Sequence, residues 1–119
     1  MSVKPAPGPA FVHLFVDFTG ASESQLGDAA LLSGLLIAAA SGAGLTALGP
    51  PLVRQLPSGE VGGVLLLERC HIAAHTLPAR RTLLLDVLVP QSSEARKVVD
   101  VFARRFSTAT MRIEHAARG

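Results

Sequence analysis

Strand-like and helix-like runs follow one another along this 119-residue chain in the order β-α-β-β-β-β-α-β, and that order limits the fold more than any single residue does. Helices that flank a block of strands, rather than alternating with them, predict an α+β sandwich: an antiparallel sheet with both helices on one face. FVHLFVDF (Phe11 to Phe18) is rich in β-branched and aromatic residues, and period-two geometry puts Phe11, His13, Phe15 and Asp17 on one of its faces. Asp28 is placed to cap a helix from about Ala29 to Ser41, with Leu31, Leu35 and Ala38 on one stripe and Gly42 and Gly44 as stop signals. That helix is apolar almost all round, so little of it is expected to face water. Leu45 to Leu56, interrupted by Pro50 and Pro51, leads into a PSGE turn. The runs GGVLLLE (Gly62 to Glu68), HIAAHT (His71 to Thr76) and TLLLDVLV (Thr82 to Val89) then read as strands. Ser92 or Ser93 is expected to cap a second helix reaching about Phe106, with Val98, Val101, Phe102 and Arg105 along its stripes, and TMRIEHA (Thr110 to Ala116) closes as a strand.

Length predicts one domain over residues 11–119, preceded by a flexible, Pro-rich arm over residues 1–10. With 49% of residues hydrophobic in so small a unit, some apolar surface is expected to be covered by a partner chain, most simply a second copy. A net charge of +2, dispersed Arg residues and the absence of Tyr and Trp leave neither a basic stripe nor a stacking platform for nucleic acid. The run Ala29 to Ala40 is shorter than the ~20 residues that span a bilayer. MSVKPAPGPA lacks the apolar core of an export signal and the chain has one Cys, so the expected compartment is the cytoplasm.

The chemistry-bearing residues concentrate in ERCHIAAHTLP (Glu68 to Pro78), which holds Cys70, His71 and His75. Two readings of this cluster stand side by side. Cys70 is either a reactive thiol or a small buried apolar side chain, and His75 either a working imidazole or a satisfied core histidine. A metal site is not expected: strand alternation puts the two histidines on one face and the thiol on the other, with no fourth ligand close in sequence. Asp17 and Asp86, on neighbouring strands, read either as a carboxylate pair or as carboxylates satisfied by backbone N–H groups.

HLFVDFTG (His13 to Gly20), GGVLLLE, CHIAAHTLP (Cys70 to Pro78) and LDV (Leu85 to Val87) resemble, in order and spacing, the bacterial S-adenosylmethionine decarboxylase proenzymes, with their HLxVDxxG, SGVVxxxESHxxxHTWPE and VDVFTCG stretches. The resemblance runs over about residues 11–116. It implies an antiparallel sheet with helices on one side, two protomers packed sheet to sheet, and a pyruvoyl group made by self-cleavage before a Ser. The positions it marks as catalytic are Cys70, His75 and His71, with Asp17, Glu68, Arg69 and Asp86 about the substrate.

The chain departs from that pattern where the chemistry lies. Cys70 stands at the pyruvoyl-forming Ser, Arg69 at the preceding Glu, Gly62 at the Ser that assists processing, and Pro90 at the proton-donating Cys; Leu77 and Ala79 replace the Trp and Glu of HTWPE. A Cys can replace the attacking Ser. Pro90 has no acidic proton and no backbone N–H, and Gly62 has no hydroxyl, a loss of about 10²–10⁴ in rate for a positioned acid or base. The expectation is an unprocessed chain without cofactor, a pyruvoyl arising from Cys70 only if the Arg69–Cys70 bond is cut. Such a chain is expected to be repurposed toward another small molecule through a pocket formed by Cys70 and His75. The alternatives are an active pyruvoyl decarboxylase of polyamine biosynthesis and a non-catalytic ligand-binding or regulatory paralogue.

Overall fold

The computed structural model describes residues 8–119; residues 1–7 of the expected arm lie outside the described residues. Six strands form one sheet in the order β2-β3-β4-β5-β1-β6, every pair antiparallel: β1 (Phe11–Thr19), β2 (Leu52–Gln55), β3 (Val61–Leu67), β4 (Cys70–Leu77), β5 (Thr82–Pro90) and β6 (Thr110–Arg118). The helices α1 (Glu23–Leu26), α2 (Ala29–Gly42) and α3 (Ala95–Arg105) complete the chain, and α2 and α3 cover one face of the sheet. The expected α+β architecture is thus the observed one, with the four-residue α1 as an element the sequence reading lacked.

Strand alternation sorts every side chain of the sheet. Toward the helices go Leu14, Val16 and Phe18 of β1, Val61, Leu65 and Leu67 of β3, Ile72 of β4, and Leu83, Leu85, Val87 and Val89 of β5, all buried. Against them pack Leu32, Leu35, Leu36, Ala39 and Ala40 of α2, and Val98, Val99 and Phe102 of α3. Gly63 lets α2 approach this layer: a Cβ there would stand 3.1 Å from both Leu36 Cδ1 and Val53 Cγ2.

The helix ends show what sequence could and could not place. Asp28 caps α2 as expected, its Oδ1 accepting from the Leu31 N–H at 3.0 Å. At the other end Gly44, at φ +69°, closes a Schellman turn in which Leu45 N–H bonds to Ala40 C=O and Gly44 N–H to Ser41 C=O. The buried stripe of α2 is Leu32, Leu35, Leu36, Ala39 and Ala40 rather than Leu31, Leu35 and Ala38, and Ile37 is 53% exposed. An apolar helix was expected to be hidden on all sides; only one side meets the sheet and α3, and the other stays open. The expected Ser cap of α3 is also absent: Ser93 N–H bonds to Pro90 C=O in the turn leaving β5, so the helix begins later, at an N-cap Glu94 whose side chain makes no capping bond.

Candidate functional site

The face away from the helices carries the polar residues of the sheet, and the strand register arranges them in rows. Leu66, His71, Leu88, His13 and Ala116 form one row; Leu52, Val64, Ala73, Asp86, Phe15 and Glu114 the next; Arg54, Gly62, His75, Leu84, Asp17 and Arg112 the third. Where the second and third rows cross β3 and β4 the side chains shrink to Gly62 and Ala73. The result is an open depression of about 430 Å³, walled by Leu52, Arg54, His75, Leu84 and Asp86.

His75 is the centre of this depression. Its Nε2 lies 2.8 Å from Glu60 Oε1, and its Nδ1 faces Gly62, where an added Cβ would stand 3.5 Å from that nitrogen. The carboxylate can only accept, so Nε2 carries the proton and donates it. Glu60 escaped the sequence reading. The signal was the Glu68–Arg69 turn: a two-residue loop sets Leu67 opposite Cys70 and Gly62 opposite His75, which makes residues 60 and 75 diagonal neighbours on one face. Arg54, whose guanidinium also donates to Val53 C=O at 2.9 Å, was missed because its strand is a short edge broken off by Pro50 and Pro51.

Cys70 lies elsewhere. Its side chain points to the helix side and is 4% exposed, whereas His75 is on the outer face five residues on, about 16 Å away along β4 at 3.3 Å per residue. The expected joint pocket of Cys70 and His75 is therefore not formed, because an odd spacing within one strand puts two side chains on opposite faces. The thiol donates to Glu68 C=O at 3.5 Å, and burial pushes it up from the ordinary thiol value, with the Arg69 guanidinium pulling partly back. A group held neutral in this way favours the fold below about pH 8.5, the ordinary thiol value, and its contribution is lost as pH rises through the raised one. Alkylation of the native protein by iodoacetamide near pH 7.5 is accordingly expected to run at least tenfold slower than that of a free-thiol peptide, and to speed up at higher pH than the peptide does. A rate equal to the peptide's would show an accessible, activated thiol instead.

The remaining expected residues divide between the outer face and the β3–β4 turn. His71 is on the outer face beside Leu66 and Leu88. Asp86 borders the depression, and Asp17, one diagonal step away, accepts from Arg112 at 2.8 Å. A guanidinium rather than backbone N–H groups thus satisfies Asp17. His13 Nδ1 accepts from Arg118 at 3.1 Å, so its proton is on Nε2, which is buried, 3.5 Å from Asp86 Oδ1 and not aligned as a hydrogen bond. Glu68 and Arg69 are exposed in the turn. Arg69 holds φ +66°, in the left-handed region, and its guanidinium lies 5.7 Å from the ring centre of Phe11. Pro90 ends β5 next to Phe11, at the Cys70 end of the sheet and remote from His75.

Among the described residues no cluster of three His, Cys, Asp or Glu side chains is placed to hold a metal ion, and no helix is long and apolar enough to cross a membrane. The curated protein sequences contain no match to this chain. Among solved structures, the crystal structure of the adenosylmethionine decarboxylase from Aquifex aeolicus VF5 superposes with a TM-score of 0.86 at 23% identity, covering 95% of this chain and 93% of that one, which shows a shared fold. The family model for S-adenosylmethionine decarboxylase matches residues 12–119. With that match over nearly its whole length, and the same sheet and helices, the chain belongs to the S-adenosylmethionine decarboxylase family.

Proposed function

We propose that this chain is a family member that is not cut to a pyruvoyl form and that takes a small molecule in the outer-face depression beside His75. The observation that carries the reading is the surroundings of that imidazole. Where the family resemblance calls for a processing hydroxyl, Gly62 leaves bare space in front of Nδ1, and Glu60 engages Nε2 instead. Self-cleavage at Arg69–Cys70 would need a thiolate and a partnered base. Burial works against the first, and the second has lost its hydroxyl. The depression itself has the volume of a ligand site, for which about 300–1,000 Å³ is usual. Because Cys70 faces the core, the residues offered to the ligand are His75, Arg54 and Asp86 rather than a thiol and an imidazole together. A chain of this kind needs no prosthetic group.

The same face supports a homodimer. Phe15, Leu52, Val64, Leu66 and Leu84 are exposed apolar side chains on the outer face, and a second copy laid sheet to sheet would cover them and roof the depression.

Denaturing mass spectrometry of the purified protein tests the reading. One chain of 12.4 kDa is expected. A fragment ending at Arg69, with a C-terminal partner reducible by borohydride, would instead establish processing and a pyruvoyl group.

A further inference from the structure

The two edges of the sheet are finished differently. β2 is four residues long and follows Pro50 and Pro51, and the chain just before those prolines lies along the far half of β3, with Glu68 N–H on Thr46 C=O and Leu48 N–H on Leu66 C=O. A short strand, prolines and a covering segment are the usual means of blunting an edge. β6 at the other edge runs nine residues with no proline and an unbroken register on β1. The ladder fixes which of its backbone groups are free. Gln91 N–H bonds to Ala10 C=O and Gly20 N–H to Arg81 C=O, so the even-numbered residues of β1 bond to β5 and the odd-numbered ones to β6. Opposite those odd residues stand Thr110, Arg112, Glu114, Ala116 and Arg118, which spend their backbone groups on β1. Met111, Ile113, His115 and Ala117 therefore turn N–H and C=O outward, and among the described residues no other strand takes them up.

We propose that β6 is a self-association edge on which a second copy of this chain pairs its own β6, antiparallel, about a twofold axis through Ile113. The charges choose the register. Free residues must meet free residues, so the axis falls on a residue of the strand. Placed at Arg112 or at Glu114 it sets identical charges opposite one another, which is destabilising. Placed at Ile113 it sets each Arg112 opposite the partner's Glu114, in the non-hydrogen-bonded position where the Cα atoms approach to about 4.5 Å. Arg112 already donates to Asp17 at 2.8 Å on the β1 side, and its remaining donors reach the other way. On the helix side the same register lays Ile113 on the partner's Ile113 and Met111 beside the partner's His115, covering two apolar side chains that the lone chain leaves half-buried. About six backbone hydrogen bonds form. So narrow a contact buries well under about 1,200 Å², the range of weak and transient pairs, so it fills toward millimolar concentration and stays empty at micromolar. It uses none of the exposed outer-face leucines and is independent of a sheet-to-sheet dimer.

Disulfide trapping on the full chain tests the edge and its register. Thr110 and Ala116 of the partner are opposite each other in the proposed pairing, at about 4.5 Å between Cα atoms, inside the range of about 4.4–6.8 Å that a disulfide spans. Thr110→Cys and Ala116→Cys, made as separate proteins and mixed at about 0.5 mM with oxidised glutathione, are expected to give a covalent pair containing one of each. Each variant alone should give at least fivefold less, and the wild type, whose Cys70 is buried, almost none. Stacked sheets are about 10 Å apart, too far for this bond, so the yield does not report on the outer face. Arg112→Glu or Glu114→Arg, added to both proteins, sets like charges opposite one another and should cut the yield at least tenfold. The two together reverse both charges and should restore it to within about threefold. No excess of the mixed pair over the single variants, an undiminished yield with one charge reversed, or no recovery with both reversed would each overturn the proposal.

Discussion

Phe102→Ala is expected to lower the free energy of unfolding by about 3–5 kcal/mol, the usual cost of emptying a buried Phe site. Phe102 is fully buried on α3, on the same face as Val98 and Val99, and α3 packs on β5 and β1, neither of them an edge strand. Neither the sheet, tied by strand hydrogen bonds, nor α2, held close over Gly63, can collapse far into the cavity, so the cost should fall at the upper end of that range. Against a total stability of about 5–15 kcal/mol this is a third or more of the margin, visible as a large drop in Tm. The matched control is Arg104→Ala on the exposed side of the same helix, which should stay within about 0.5 kcal/mol. A loss below about 1 kcal/mol at Phe102 would mean that α3 is not docked as described.

Leu66→Asp combined with Leu84→Asp is expected to turn a dimer into a folded monomer. Both side chains are on the outer face, Leu66 61% and Leu84 39% exposed, so an aspartate at either position is solvated in the lone chain and leaves the helix-side core untouched. In a sheet-to-sheet dimer the same carboxylates would be buried without partners, at about 2 kcal/mol or more each, and twofold symmetry counts every substitution twice. Four such groups weaken association by at least about five orders of magnitude, at tenfold per 1.4 kcal/mol. Sedimentation equilibrium at micromolar concentration reads it directly: twice the 12.4 kDa mass for the wild type and a single chain for the variant. A wild type that is monomeric throughout, or a variant that still dimerises, would remove the outer face from consideration as the interface.

Much of this protein was legible in the order of its residues because strand and helix periods are local. Five of the six strands lie within a residue or two of the bounds read from sequence, the edge strand β2 occupying only Leu52–Gln55 of the run Leu45 to Leu56; Asp28 was recognisable as a helix cap, and alternation alone put His71 and His75 on one side of β4 with Cys70 on the other. The family could be read from motifs that are short and contiguous. Local rules failed where they met a neighbour. Which side of an apolar helix is buried depends on what packs against it, so the true stripe of α2 and the exposure of Ile37 became visible only with the sheet and α3 in place. A serine before a helix caps it only if the preceding turn leaves it free, and the Pro90–Ser93 turn does not.

The site divides along the same line. Residue order alone is enough to place a histidine in β4 facing away from Cys70, and to show that Gly62 and Pro90 lack the groups that the family's processing and proton return require. It could not say which face the helices would cover, and so whether thiol or imidazole would be the exposed group. That choice followed from packing: the face with Val61, Leu65, Ile72, Leu85 and Val87 buries the larger apolar area, α2 and α3 dock there, and Cys70 is carried into the core with it. The partners of His75 are tertiary as well. Glu60 is fifteen residues distant in the chain and Arg54 on a third strand, and only the register of two hairpins, set by hydrogen bonds between strands, brings the imidazole, an empty glycine position and Arg54 to one depression with Glu60 hydrogen-bonded to the imidazole.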